Sequence, residues 1–179
     1  MHDESAVTTA IAGMNGPFIV VRRFMTGDNP VMTFLTRRGE GPGFPYAGEP
    51  MHVLVGDASQ PAGFAASEIA VPARFPGPVP HAHDEWDEAL YVLDGRLLVW
   101  GDGEPLEAGP GSMFTAPRRH RHGFSNPFDS PALVLGIWAP GEPALALMRE
   151  VGAALRPGTP PDPAAMRDLY ARHASRMLP

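Results

Sequence analysis

The sequence predicts an all-β fold, one domain closed by one or two C-terminal helices. Three observations carry this reading. Short apolar and β-branched runs follow one another from Phe18 to Ala139, each bounded by turn residues, a spacing that suits a sandwich or barrel. Prolines and glycines number 22 and 20 among 179 residues, which favours many short elements over long helices. After Pro140 the pattern turns helical.

Residues 1–17 are read as a flexible N-terminal segment. They include the acidic start MHDESAVTTAIAGMNG, which lacks a continuous apolar stretch and does not fit a secretory signal. The barrel is expected over residues 18–140, with strands in PFIVVRRF, VMTFLTR, MHVLVG, FAASEIAV, EALYVL, RLLVW, SMFTA and ALVLGIWA. Asp94-Gly95, between EALYVL and RLLVW, is a strong hairpin signal because a type I′ turn needs positive φ, so these two strands are expected to pair. The Gly/Pro-rich insertion at residues 39–50, GEGPGFPYAGEP, has the character of a binding loop or lid whose Phe44 and Tyr46 could cover a cavity, or else pack on the barrel. Residues 141–179 form the helical extension. Pro143 opens a helix with Leu145, Met148, Gly152 and Leu155 on one face, and Asp162-Pro163 caps a second carrying Met166, Leu169, Tyr170, His173 and Met177. These apolar faces are expected to cap the barrel or to build a homodimer.

Composition removes several function classes. With 14 basic and 20 acidic residues the net charge is -6, which does not suit a nucleic-acid partner. No run reaches membrane-spanning length, so a cytoplasmic location without a membrane partner is expected. The chain has no cysteine, so any metal must be held by nitrogen and oxygen. A Ser-His-Asp order, a P-loop and a dinucleotide-binding glycine motif are all missing.

Two stretches hold the chemistry. In HAHDEWDEALYVLDG, residues 81–95, His81 and His83 fall two apart on an extended strand, on one face and roughly 7 Å apart at Cβ, near enough to converge on one ion. Glu88 has the opposite parity and joins them only if the chain bends within Asp84 to Asp87. The second stretch, residues 111–126, ends a strand and supplies His120 and His122. His120 shares parity with His122, yet an ordinary surface histidine is the favoured reading for it. His52 and Phe124 join Phe44 and Tyr46 as candidate pocket residues, although strand parity without a register does not place His52.

These stretches resemble the paired motifs of the cupin superfamily. His81, His83, Glu88 and Gly95 match the first motif, HxH-x₄-E-x₆-G, and Gly111, Pro117, His122 and Asn126 match the second, G-x₅-P-x₄-H-x₃-N. Three glycine or acidic positions depart from the pattern, at Phe75, Ser112 and Arg119, and none of them is a ligand. The resemblance implies a cupin jelly-roll β-barrel that holds one divalent transition metal (iron, nickel, manganese, cobalt, copper or zinc) on His81, His83, Glu88 and His122. One barrel with complete ligands and a helical tail looks like the quercetin 2,3-dioxygenase-like branch. That likeness implies dioxygenation of a small aromatic or enolic molecule, of the kind met in secondary metabolism, with Glu88 as both ligand and base. A redox-neutral cyclase, isomerase or lyase and a non-enzymatic sensory protein are the alternatives.

Overall fold

A computed structural model describes residues 7–11, 19–26, 29–58, 62–155, 159 and 161–178. The first three strands, β1 (Val7–Ile11), β2 (Ile19–Thr26) and β3 (Asn29–Leu35), form an antiparallel sheet in chain order. β1 falls inside the stretch read from sequence as a flexible lead. There follow β4 (Gly43–Tyr46), β5 (Glu49–Val55), β6 (Ala65–Val71), β7 (His81–His83), β8 (Asp87–Asp94) and β9 (Leu97–Trp100). After these come β10 (Leu106–Ala108), β11 (Met113–Ala116), β12 (Gly123–Ser125) and β13 (Ala132–Ala139). Two helices, α1 (Gly141–Ala154) and α2 (Pro163–Arg172), and a last strand, β14 (Ser175–Met177), complete the order.

The jelly roll has two layers. One is a six-stranded sheet in the order β11-β8-β13-β6-β5-β4. The other joins β10-β9-β12 to β7-β14 through two bridges, His81 with His122 and Phe75 with Asn126. Alternation explains which residues face inward: Glu88, Leu90 and Val92 are buried on β8, and Val134 and Trp138 on β13, while Leu97 and Val99 enter the same core from β9. Asn126 ties the layers near the mouth, its side-chain amide donating to the carbonyls of Pro72 and Ser130 at 2.9 Å each.

The pairing expected across Asp94-Gly95 is not formed. β8 pairs with β11 and β13, whereas β9 pairs with β10 and β12 in the opposite layer. Gly95 does turn at φ 71°, hard against the Pro131 carbonyl and Ala132, so the chain is sent across the barrel rather than back along its own sheet. The insertion at 39–50 holds a hairpin instead: Ala47 and Gly48 both take positive φ between Tyr46 and its partner Glu49, and β4 becomes the edge of the large sheet.

Both helices dock on their own barrel. α1 starts at Gly141, two residues before Pro143, and buries Leu145, Leu147, Met148 and Val151. Its Gly152 lies so close to the Pro45 carbonyl on β4 that a Cβ would collide. Asp162 caps α2 as expected, accepting from the Ala164 N–H at 3.1 Å, with Pro163 as first helical residue. The expected stripe breaks after Arg172, because Ala174 takes φ 45° and the chain turns into β14. Met177 is therefore a strand residue, not a helical one. No helix among the described residues is long and apolar enough to cross a membrane.

Candidate metal centre

The site grows from one antiparallel contact. His81 N–H donates to the His122 carbonyl at 3.0 Å, and His122 N–H returns the bond at 2.9 Å. That pairing sets both side chains beside His83, with ring centroids 4.4 Å apart for His81–His122, 4.8 Å for His81–His83 and 5.1 Å for His83–His122. The possible ligand atoms of the three lie within 4.8 Å of one another, and all three side chains are buried. The bend required for Glu88 exists: after His83 the chain crosses from one layer to the other, and β8 presents Glu88 from the facing sheet. Its Oε2 is 3.5 Å from His83 Nε2, and its Oε1 4.0 Å from His122 Nε2.

The partners of each imidazole decide which nitrogen faces the centre. His81 Nδ1 lies 2.8 Å from the Val79 carbonyl and His122 Nδ1 3.0 Å from the His120 carbonyl; a carbonyl only accepts, so the proton sits on Nδ1 in both. His83 Nδ1 lies 2.9 Å from Ser175 Oγ, whose own proton goes to the His173 carbonyl at 2.9 Å. Ser175 therefore accepts from His83. Each Nε2 is left as a bare lone pair, and those of His83 and His122 are buried without a hydrogen-bond partner among the described residues. Three lone pairs and a carboxylate thus meet with no donor between them, apart from the indole N–H of Trp138, which grips Glu88 Oε2 from outside at 2.8 Å. Such a cluster is costly unless a cation completes it, so these residues fit a divalent ion.

Electrostatics agree. Burial, followed by the neighbouring His122 and His83, holds His81 down to about 3, so its ring is neutral. Burial raises the Glu88 carboxyl, and it is a hydrogen bond from His83 and the positive charge of protonated His122, His83 and His81 that bring it down to about 2, the role a cation would take over when the rings are neutral. Trp86 stacks flat on His83 at 4.4 Å, and Tyr170 meets His81 edge-on at 5.4 Å. Burial pushes the phenols of Tyr46 and Tyr170 up, with the Glu88 charge adding to both.

Four of the residues singled out in the sequence come together: His81, His83, Glu88 and His122. His120 is exposed, its ring on the Arg118 carbonyl at 3.1 Å. His52 does not join them either. Met51 and Val53 are buried in the core, so His52 points to the other face of β5. Phe44 packs towards α1, with the Arg149 guanidinium 5.5 Å over its ring. Tyr46 and Phe124 flank Phe75 instead, at 6.4 and 6.2 Å. The tight turn before His122, where the family pattern has glycine, is made by Arg119 at φ 69°, its N–H donating to the His83 carbonyl at 2.6 Å. Asp84 and Asp87, at the two ends of the bend before Glu88, pair with Arg176 at 3.0 Å and Arg118 at 2.8 Å.

Sequence reasoning missed Ser175, Trp138 and Tyr170 as site residues. Trp138 had a usable signal, since an indole on the inward parity of a strand needs an acceptor. Ser175 had none, because it reaches His83 from 92 residues away. Ser175→Ala should weaken metal binding by roughly 10- to 100-fold, the usual scale for the hydrogen-bond partner of a ligating histidine. The same change should cost metal-free stability only about 1 kcal/mol. Chelator competition on the variant and on Ser175→Thr, which keeps the hydroxyl, checks it; equal affinity for Ala would show that the hydroxyl does not orient His83.

Residues 68–138 match the cupin domain family. No curated protein matches the chain. Among solved structures, an RmlC-like cupin from Shewanella frigidimarina superposes with a TM-score of 0.52 at 18% identity, covering 62% of this chain and 94% of that one. KdgF from a Halomonas species gives a TM-score of 0.47 at 23% identity, over 54% of this chain and 82% of that one. The DMSP lyase DddQ from Ruegeria pomeroyi gives 0.43 at 26% identity, over 50% of this chain and 45% of that one. The family match contains His81, His83, Glu88, His122 and Trp138 and stops short of Tyr170 and Ser175. Residues 68–138 are thus similar to a cupin domain, and the three-histidine cluster able to hold a metal ion lies inside that match.

Proposed function

We propose that the protein is a metal-dependent enzyme that oxidises a small aromatic or enolic molecule with dioxygen. One observation carries the metal dependence: three imidazole lone pairs and an ionised carboxylate converge in the barrel without a donor among them. His81, His83 and His122 would hold the ion, with Glu88 beside them as further ligand. A divalent ion there supplies a Lewis acid and, when redox-active, the electron exchange that reaction with dioxygen requires.

The chain's own residues do the rest. Val79, His120 and Ser175 fix the imidazole tautomers, so the ligand set is organised before an ion arrives. Glu88 is held by Trp138 at Oε2, which leaves Oε1 as the acceptor for a phenol or enol proton. Glu88 is only 4% exposed, so bulk water is shut out from this carboxylate.

A redox-neutral reading rests on a different feature. The buried phenols of Tyr46 and Tyr170 lie within the field of Glu88, which brings phenolic donors near a carboxylate base, as an isomerase or lyase needs. Oxygen uptake separates the two. Protein loaded in turn with iron, nickel, manganese and zinc, offered a panel of phenols and enols, should consume about one O₂ per substrate without added reductant if it is a dioxygenase. Turnover under argon at the aerobic rate would assign the redox-neutral chemistry instead.

A further inference from the structure

A cavity of about 620 Å³ opens beside the metal centre, between the segment at residues 75–79 and the C-terminal tail. Phe75, Val79, Leu155, Met166, Tyr170 and Met177 make most of its wall. None of the described lining side chains is charged, and among them only Thr159 and Tyr170 bring a polar side-chain group. Its volume is in the range that holds a drug-sized organic molecule.

The inner wall is one residue thick. Val79 lends its carbonyl to His81, Met177 pairs with His81 in register, and the Tyr170 ring stands edge-on against the His81 ring. Phe75 continues this wall, touching Tyr46 on one side and Phe124 on the other. The Tyr170 side chain lines the cavity and is only 3% exposed, so its phenol stands between the chamber and the His81 ring. A phenol between an apolar chamber and a metal cluster is placed to bind the one polar group of an otherwise apolar molecule.

We infer that this tail-built cavity is the substrate chamber, that it takes an uncharged, ring-bearing apolar molecule with a single hydroxyl or carbonyl, and that Tyr170 sets its specificity at the metal side. The inference rests on the metal-enzyme reading and adds to it the substrate class and the part of the chain that selects it. An anionic substrate such as a sugar phosphate or a carboxylate would lose its hydration there and find no compensating charge among the described lining residues. The tail then has two duties, since the segment that walls the chamber also ends in Ser175, which orients His83.

The test uses full-length protein, with cobalt as the probe metal and 2-naphthol and 2-naphthalenesulfonate as ligands. Calorimetry should show 2-naphthol binding at least about tenfold more tightly than the sulfonate. Thr159→Glu, at an exposed position on the rim, should weaken naphthol about tenfold or more, and so should Leu155→Trp, which fills the chamber. Both should keep wild-type metal stoichiometry and melting temperature. Tyr170→Phe should still bind naphthalene normally but lose the preference for naphthol over naphthalene. Equal binding of naphthol and sulfonate, or naphthol binding that ignores both rim variants, overturns the inference while leaving metal binding intact. Failure to take up any metal overturns the enzymatic reading, and naphthol titration of that metal-free protein still decides the chamber.

Discussion

His83→Ala should leave the protein unable to retain a divalent ion through desalting, while His120→Ala, a histidine nearby in sequence, should retain it fully. The difference follows from geometry. His83 is buried, presents a bare Nε2 to two other imidazoles, and is clamped between Ser175 and the face of Trp86. His120 turns its ring to its own loop and lies in solvent. Four-ligand sites built from neutral and anionic donors bind with roughly 10–16 kcal/mol, so one ligand is worth about 3 kcal/mol, which is on the order of 10²- to 10³-fold in affinity. Elemental analysis after loading with zinc or nickel, paired with chelator competition, gives both quantities on one preparation. Equal metal content in His83→Ala and wild type would remove His83 from the site and with it the spacing that first pointed to one.

How much of this was legible in the sequence depends on the range of the interaction. His81 and His83 are two residues apart on a strand, so their convergence follows from the pleat. Glu88 needed only a short bend, which the run Asp84 to Asp87 supplies. The cap at Asp162-Pro163 is equally local. Pairing is a different matter. Asp94-Gly95 announces a turn, but which strand β9 joins is settled by where the core needs Leu97 and Val99, and that is information from the other layer. The tail is the extreme case. SRM has no strand periodicity, and β14 exists because β7 offers an open edge beside it. Its consequences, Ser175 on His83 and Tyr170 on His81, were therefore invisible from composition and spacing. For the insertion at 39–50 the sequence left two readings open, a lid or aromatics packed on the barrel; its residues build a tight turn and a packed edge that buries Tyr46.

Glu88→Gln should show the second large effect, and of opposite sign in the two forms of the protein. In the native site Trp138 donates to Oε2, so a glutamine will put its carbonyl oxygen there, since its amide nitrogen cannot accept. The NH₂ group then takes the place of Oε1, which is 4.0 Å from the lone pair of His122 Nε2, and a small rotation makes a hydrogen bond. An acceptor cluster that calls for a cation becomes a satisfied donor–acceptor pair. Metal-free Glu88→Gln should accordingly be more stable than metal-free wild type by about 1–3 kcal/mol, the penalty relieved when a buried unpaired acceptor gains a partner. That is a rise of several degrees in melting temperature for a domain of this size. Metal affinity should move the other way, by on the order of 10²-fold, because the ion loses an anionic neighbour and must displace the new bond. Any turnover that uses Glu88 as base should fall by on the order of 10²-fold or more beyond what metal loss explains, measured at saturating metal. Thermal melts of both proteins with and without zinc decide the matter: a metal-free variant less stable than wild type, together with unchanged affinity, would mean that Glu88 neither faces the imidazole lone pairs nor serves the ion.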